Sequence, residues 1–279
     1  MEKKMYTRQV LKNNILKSII IRVDYEGVTD INIWIDKFKK SPLSTKFLNY
    51  RQGQENNVTL DLSNAQSIAQ SRSIPLSDFT AAYYHIFTKS QFSNHNDDVQ
   101  LSIGRLFTVM QITCRDYTLI DEYIDYLNSY LEALIKQDKF IKIVRVGIRK
   151  ISGKIYNSFE EVECDFNSSI MIPRINTNIK DFIESKYEDH YYDRSNKIKI
   201  NYNRYIKGIL RKVDDQTMDS VQVVLDLDGY IDNDVINDFK IDTRKNFKES
   251  ILIPINDRLF DLFKEAVTEF FLSRCANEK

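Results

Sequence analysis

The stretch Lys139–Ile151, KFIKIVRVGIRKI, decides how this chain folds. Apolar and polar residues alternate along it, which is typical of a β-strand whose two faces meet different surroundings. The alternation places Arg145, Gly147 and Arg149 on one face of the strand. The residues predicted to point into the core from the other face are Phe140, Val144, Val146 and Ile148.

A long amphipathic helix is predicted directly before this strand, over Asp116–Lys136. Apolar side chains recur along it at helical spacing. Asp121 near its start and Lys136 at its end suit the helix dipole. At about 1.5 Å per residue, a helix of this length can cross a whole sheet. The sequence therefore predicts a helix packed against the strand that contains both arginines.

The remaining first half is predicted to consist mostly of strands. Ser18–Tyr25 alternates and is rich in β-branched residues, which favours a strand. Ile31–Lys40 has helical spacing and ends before Pro42. The further predictions are a polar turn at Arg51–Asn57, strands at Val58–Leu62, Asp78–Thr88 and Val99–Thr113, a loop at Ser90–Asp98, and a β-bulge at Gly104.

The second half repeats this plan. Its predicted elements are a short helix at Ile179–Tyr187 capped by Asn178, strands at Lys197–Leu210 and Val221–Asp228, and a final helix at Asp257–Ser273. A hairpin followed by an amphipathic helix in each half predicts an α+β fold of two similar lobes. Each lobe is expected to be a mainly antiparallel sheet with a long helix on one face. The predicted lobes are residues 1–152 and 153–279, and a single continuous domain is the alternative.

The composition argues against several classes of protein. Seven glycines in 279 residues argue against nucleotide folds built on glycine-rich loops. A formal net charge of zero disfavours a dedicated nucleic-acid binder. No apolar run is long enough for a signal peptide or a membrane span. Cys114, Cys164 and Cys275 lie too far apart for a metal site or a disulfide framework. We therefore expect a cytoplasmic protein with reduced thiols, no membrane contact and no cofactor, zinc or iron.

The arginine strand is the first candidate site. Because Arg145 and Arg149 flank a glycine, an anion or another backbone can approach between their guanidinium groups. Lys150 and Lys154 are expected to add positive charge nearby. The sequence thus predicts ligand binding at Arg145, Arg149 and Lys150. The alternative is that both arginines pair with carboxylates on neighbouring strands.

An acidic run is the second candidate. Asp226 and Asp228 share one strand face, and Asp232 and Asp234 follow a predicted turn at Gly229. Two such carboxylates can hold magnesium for phosphoryl chemistry. The spacing does not fit an EF-hand loop, however, and no glycine-rich phosphate loop accompanies it. The alternative is a polar sheet face that partners the arginines.

Histidines and a polar strand complete the candidates. His190 lies between Asp189 and Asp193, which fits either a metal ligand or a solvated helix end. His85 is predicted to pack in the core, and His95 lies in the predicted hairpin loop. A partly basic strand face can bind RNA or single-stranded DNA, or simply face solvent. Its residues are Lys197, Lys199, Asn201, Asn203, Tyr205 and Lys207.

Three stretches together resemble one protein family. They are the V-R-V-G-I-R strand at Val144–Arg149, the L-D-L-D strand at Leu225–Asp228, and the closing helix with Arg258, Phe260, Phe263 and Phe270. They resemble a sporadically distributed bacterial family of uncharacterised cytoplasmic proteins of about this length. The chain departs from that pattern at Lys150 and Ser152, where the family has an aromatic residue and an amide. The family's patchy occurrence implies transferable genes, such as defence or toxin–antitoxin cassettes, and it supplies no catalytic residues.

These patterns favour a non-enzymatic cytoplasmic binding protein. Its expected partner is another protein, a second copy of the chain, or a small anionic ligand held between the lobes near Arg145 and Arg149. One alternative is a metal-dependent enzyme that acts on nucleic acid or nucleotide through Asp226 and Asp228. A nucleic-acid-binding regulator is the other.

Overall fold

A nine-stranded antiparallel β-sheet organises the computed structural model of the chain. The structure describes residues 6–12, 14–57, 85–114, 119–167, 182–213, 216–243 and 247–276. The strands are β1 Leu16–Glu26, β2 Asn49–Asn57, β3 His85–Ser93, β4 Val99–Ile103, β5 Phe107–Thr113, β6 Lys142–Tyr156, β7 Glu184–Asp193, β8 Ile198–Val213 and β9 Gln216–Asp232. Their order across the sheet is β2-β3-β4-β5-β1-β6-β9-β8-β7.

Six α-helices accompany the strands in the described part of the chain. They are α1 Ile31–Lys39, α2 Asp121–Gln137, α3 Phe159–Asp165, α4 Asn233–Asp238, α5 Ile253–Ala266 and α6 Glu269–Ala276. A π-helical turn, Lys248–Leu252, leads directly into α5. None of the described helices is long and apolar enough to cross a membrane.

The α+β class is confirmed, whereas the two-lobe arrangement is not. The predicted boundary at residue 152 falls inside β6, which pairs with β1 along one edge and with β9 along the other. Because β6 has neighbours on both edges, it joins the strands of the two halves into one sheet. The similar order of hairpins and helices in each half therefore does not produce two separate sheets here.

The hydrophobic core lies on one face of this sheet, which we call the covered face. Ile21, Val146 and Leu227 point into it from β1, β6 and β9, and each is at most 2% exposed. Helices α1, α2 and α5 lie against this face. Tyr130 of α2 joins its hydroxyl to that of Thr108 on β5 at 3.1 Å, and it accepts a hydrogen bond from Trp34 of α1 at 2.9 Å. These buried polar contacts fix α1 and α2 on the sheet.

Helix α5 approaches the sheet closely because β9 carries a glycine beneath it. A Cβ at Gly229 would lie 3.1 Å from side-chain carbons of both Ile255 and Leu259. Gly229 was predicted to form a turn, but it lies within β9, which continues to Asp232. The absence of a side chain at this position lets α5 pack against the centre of the sheet.

A β-bulge in β6 changes which residues reach the core. Asp24 pairs with Arg145 and Tyr25 pairs with Ile143, so that Val144 is the extra residue on β6. Ile143 and Val146 are both buried as a result. The prediction that Phe140 points into the core is wrong, since its side chain is 63% exposed.

Three predicted elements of the first half differ from the structure. Arg51–Asn57 belongs to β2 instead of forming a turn, because it pairs with β3 along its length. Val99–Thr113 is a hairpin of two strands, and Gly104 lies in its turn, where a Cβ would be 2.7 Å from the Phe107 ring. The predicted loop from Ser90 begins later, because β3 extends to Ser93. Val58–Leu62 and residues 78–84 lie outside the described residues.

Two predicted helices of the second half also differ. Residues 184–187 begin β7, where pairing with β8 overrides local helix preference, and the rest of that predicted helix up to residue 181 is not described. The final helix ends at Ala266 and restarts at Glu269. Thr268 starts the new helix, since its hydroxyl accepts a hydrogen bond from Phe271 N at 3.1 Å.

The β8–β9 hairpin is longer than its neighbours. Pairing of β6 with β9 ends at Val221, and pairing of β7 with β8 ends at Lys207. Residues 209–213 and 216–220 then pair only with each other among the described strands. The end of this hairpin is therefore a two-stranded ribbon at the end of the sheet.

Gly27 lies close to the backbone of Phe140, just before β6 begins. Its φ is +81°, and a Cβ there would lie 2.1 Å from the Phe140 carbonyl oxygen. We expect Gly27→Ala to lower the free energy of unfolding by about 2–4 kcal/mol, because it adds both backbone strain and a steric clash. Urea unfolding, followed by the fluorescence of buried Trp34, measures this change. Gly53→Ala is the control, since nothing lies within 4 Å of a Cβ at that position; equal effects of the two changes would contradict the prediction.

Candidate functional site

Arg149 is held in a two-point ion pair on the face of the sheet opposite the helices, which we call the open face. Its Nε and Nη2 donate hydrogen bonds to the two carboxylate oxygens of Asp226 at 2.8 and 2.5 Å. These bonds raise the pKa of the Arg149 guanidinium above its ordinary value. Asp226 is thereby committed to Arg149.

Arg145 shares its charge between two carboxylates on the same face. Its guanidinium nitrogens lie 3.9 Å from Asp24 and 3.6 Å from Asp228, and the group stacks 4.5 Å above the Tyr230 ring. Burial raises the pKa of Asp228, an effect that Arg145 partly offsets. Asn201 donates a further hydrogen bond to Asp228 at 3.2 Å. The structure thus pairs both arginines with carboxylates of neighbouring strands, as the alternative prediction described.

The gap that Gly147 was expected to leave between the arginines is narrow. A Cβ at Gly147 would lie 3.0 Å from the Cβ of Tyr230, the residue opposite it on β9. Tyr230 therefore occupies the space across from the glycine, and Arg145 covers its ring. Binding of a ligand by Arg145 and Arg149 stays a prediction.

Lys150 does not lie with the arginines, because strand alternation places it on the covered face. It pairs with Ile19 of β1 and Leu227 of β9, whose side chains are buried beneath the helices. Lys154 also points to this face, where its ammonium binds the buried carboxylate of Asp165 at 2.8 Å. The prediction that these lysines add to the charge of the arginine pair is therefore wrong.

A cleft opens beside Lys150 between the sheet, helix α5 and the N-terminal segment. Its cavity is about 70 Å³, which is room for several water molecules at roughly 10–15 Å³ each. We call it the Lys150 cleft. Its lining residues are Arg8, Leu11, Asn14, Leu16, Ile19, Leu119, Ile120, Lys150, Ser152, Leu227, Leu259, Phe260 and Phe263. Most of these side chains are apolar, and the two charged ones are both cationic.

The ammonium of Lys150 contacts only neutral oxygens among the described residues. Nζ donates a hydrogen bond to Oδ1 of Asn256 at 2.5 Å and lies 3.4 Å from the carbonyl oxygen of the same residue. The side chain of Asn256 is fully buried, and its Nδ2 has no hydrogen-bond partner in the described part of the chain. Lys150 is thus a half-buried cation without a described counter-ion.

Burial lowers the pKa of Lys150 to about 7. The charge of Arg8 lowers it further, while Asp257 and Asp121 partly oppose the shift. Arg8 itself forms an ion pair with Asp257, and its guanidinium lies 5.7 Å from the centre of the Phe260 ring. At neutral pH, Lys150 is therefore divided between its amine and ammonium forms.

The acidic run does not assemble into a metal site in the described residues. Asp226 and Asp228 face the arginines, and Asp232 binds Lys199 at 2.5 Å. No group of three or more histidine, cysteine or acidic side chains suited to a metal ion occurs in the described part of the chain. The polar sheet face that was the alternative prediction is what the structure contains.

The histidines do not lie near one another in the described structure. His190 lies in β7 instead of at a helix end, where Nδ1 is 2.7 Å from Oδ1 of Asn201 and Nε2 is 3.2 Å from Glu188. His95 lies in the turn after β3, as predicted. His85 begins β3, and its side chain is not among those that the structure describes. None of these described positions adjoins the Lys150 cleft.

The predicted polar face of β8 is present on the open face. Lys199 binds Asp232, Asn201 binds Asp228, and Tyr205 donates a hydrogen bond to Glu184 at 3.1 Å. Lys199 on this face is thus balanced by an acidic neighbour. No disulfide joins the three cysteines, all of which are described.

Sequence reasoning missed one residue that lines the cleft and one that binds Lys150. Arg8 and Asn256 lie far apart in the chain and carry no local motif, so only the folded structure brings them to Lys150. The position of Lys150 itself was readable, since alternation from Arg149 places the next residue on the opposite face.

Comparisons with known proteins assign neither a family nor a function to the chain. No protein-family model matches the chain, and no curated protein matches it significantly. The family resemblance of the arginine strand therefore stays a prediction, and the site rests on the contacts described above.

Arg149 provides a test of the open-face ion pairs. We expect Arg149→Ala to lower the free energy of unfolding by about 0.5–1.5 kcal/mol, a modest loss because the arginine is half exposed. Adding Asp226→Asn should restore part of this loss, since the carboxylate no longer lacks its partner. Adding Asp228→Asn should instead deepen it, because that change removes the partner of Arg145. Chemical unfolding of the single and double variants decides between these outcomes, and rescue by Asp228→Asn alone would refute the pairing.

Lys150 should make stability depend on pH in a defined direction. Its pKa is about 7 in the folded chain and near the ordinary 10.5 when unfolded. Between these values the unfolded state binds a proton that the folded state does not, so this lysine destabilises the fold most below pH 7 and progressively less up to pH 10. We expect Lys150→Met to be more stable than the unchanged chain at pH 6–7, by about 1–3 kcal/mol. The difference should shrink towards pH 10.

Thermal and urea unfolding at several pH values measure this difference. Arg149→Met is the matched control, since it removes a cation from the next position on the opposite face. Parallel pH profiles for the unchanged chain and Lys150→Met would show that the ammonium is not desolvated in the folded protein.

Proposed function

We propose that this chain is a non-enzymatic cytoplasmic binding protein for a small apolar molecule with an anionic head group, bound in the Lys150 cleft. One observation carries the proposal. A half-buried lysine lines an apolar cleft and has no carboxylate within ion-pair distance among the described residues. A desolvated cation without a partner is costly, and an incoming anion would remove that cost.

The electrostatics of the cleft support an anionic ligand over a neutral or cationic one. Arg8 and Lys150 are its charged lining residues. Arg8 is already paired with Asp257, so the uncompensated charge belongs to Lys150. A ligand carboxylate near Nζ would favour the ammonium form and raise the pKa of Lys150.

The walls of the cleft support an apolar body behind that head group. Leu227 of β9 and Leu259 and Phe263 of α5 line it together with Ile19 and Ile120. A few polar groups within an otherwise apolar pocket are typical of small-molecule sites. The cavity of about 70 Å³ encloses only a short chain, so the ring of a larger ligand would extend out of the cleft.

The contents of the cleft also support binding rather than catalysis. Its lining includes no histidine, cysteine or carboxylate among the described residues. The open face is a weaker candidate, because Asp24, Asp226 and Asp228 balance Arg145 and Arg149 there. A protein partner or a second copy of the chain stays a prediction.

Calorimetry with three ligands of the same shape tests the proposal. We expect benzoate to bind at least tenfold more tightly than benzyl alcohol, and benzylamine not to bind. Binding of benzoate at pH 8 should take up close to one proton, because the lysine changes from amine to ammonium. Titrations in buffers of different ionisation enthalpy reveal this uptake.

Two variants locate the site. Lys150→Met should weaken benzoate binding at least tenfold, whereas Arg149→Ala on the opposite face should leave it unchanged. Equal affinity for benzoate and benzyl alcohol, or loss of binding in Arg149→Ala alone, would rule out the Lys150 cleft as an anion site.

A further inference from the structure

Lys150 has the surroundings of a nucleophilic amine as well as those of an anion-binding group. Its side chain lines the Lys150 cleft from a strand with neighbours on both edges. A rigid strand holds the attacking atom in place better than a surface loop does. Lys154, on the same face of this strand, differs from Lys150 because its nitrogen lies 2.8 Å from the buried carboxylate of Asp165.

The hydrogen bonds of Nζ leave its lone pair available. A neutral amine has two N–H groups, and Asn256 offers two oxygens to receive them, Oδ1 at 2.5 Å and the backbone carbonyl at 3.4 Å. With both N–H groups directed to Asn256, neither hydrogen bond uses the lone pair. The depressed pKa of Lys150 supplies the amine form at neutral pH.

A buried donor lies in the same amide group. Nδ2 of Asn256 has no partner among the described residues, although the side chain is fully buried. The arrangement therefore combines an amine, an apolar cleft and a fully buried amide that holds the amine.

We propose that Lys150 forms a reversible imine with a ligand that carries a carbonyl group next to its carboxylate, namely a small apolar 2-oxo acid. The proposal rests on the proposed function and narrows its ligand class. The carboxylate supplies the negative charge that the cleft lacks, and the adjacent carbonyl carbon then lies beside Nζ. Because a bound carboxylate favours the ammonium form, the attack is made by the unprotonated fraction of Lys150. Lysine imines with carbonyl compounds are established protein chemistry.

The reaction balances without any oxidant or reductant. The lone pair of Nζ attacks the carbonyl carbon, and the C–O π bond opens to an alkoxide. A proton passes from nitrogen to this oxygen and gives a carbinolamine. Protonation of the hydroxyl by solvent releases water as the C=N bond forms, and the iminium returns a proton to solvent or keeps it beside the carboxylate. Hydrolysis restores amine and 2-oxo acid.

Reductive trapping with phenylpyruvate tests the imine directly. The full chain is incubated with phenylpyruvate and cyanoborohydride, which converts an imine into a stable secondary amine. Peptide mass spectrometry then locates the adduct. We expect one adduct at Lys150, formed at least tenfold faster than at any other lysine, with a rate that rises through about pH 7. Adducts spread over exposed lysines, or none at Lys150, would overturn the proposal.

Two variants and one competitor separate this inference from the proposed function. Lys150→Arg keeps a cation in the cleft, so it should still bind 3-phenylpropanoate but form no adduct there. Arg149→Ala should react like the unchanged chain. An excess of 3-phenylpropanoate, which has the carboxylate without the carbonyl, should slow trapping.

The combined results assign failure to one proposal or the other. Binding of 3-phenylpropanoate without trapping of phenylpyruvate would overturn the imine and leave the anion site intact. Trapping at Lys150 that 3-phenylpropanoate does not slow would support the amine chemistry and contradict the anion site. Neither binding nor trapping would overturn both.

Discussion

The pairing of β6 along both edges is the constraint on which the rest of the structure depends. Hydrogen bonds to β1 and β9 hold the strand in the interior of the sheet and force successive side chains to opposite faces. Arg149 and Lys150 are neighbours in sequence, yet one faces solvent beside Asp226 and the other faces α5. A shift of one residue in register would exchange these environments and bury the wrong side chain.

The surroundings of the positive charges differ between the open face and the covered face of the sheet. On the open face every arginine of β6 has a carboxylate nearby, and water screens what imbalance is left, so these pairs organise the surface more than they stabilise it. Beneath the helices, Lys150 has only the oxygens of Asn256, and low polarity makes its charge costly. Proteins accept such a cost mainly where the group has a task, which is why the covered lysine is the more informative of the two sites.

Alternation and helical spacing predicted much of the framework. Strands β1, β8 and β9, helices α1 and α2, and the inward positions of Val221, Val223, Leu225 and Leu227 agree with the structure. Errors occurred where long-range pairing decides the conformation, as in β7, or where a tertiary contact interrupts a helix, as at Thr268, whose hydroxyl donates to the Cys164 carbonyl. The pairing of the arginines was foreseen as an alternative, but the Lys150 cleft was not, because Arg8 and Asn256 meet Lys150 only after folding.

The ribbon at the end of the β8–β9 hairpin has a consequence for how the molecule opens. Its outward backbone amides in residues 209–213 and 216–220 have no neighbouring strand in the described structure. Such amides exchange with deuterated solvent earlier than those of a central strand such as β6. An exposed ribbon can also recruit a foreign strand, and charged residues such as Lys212 reduce that risk. Local opening should therefore begin at this ribbon and end at the strand that carries both arginines and Lys150.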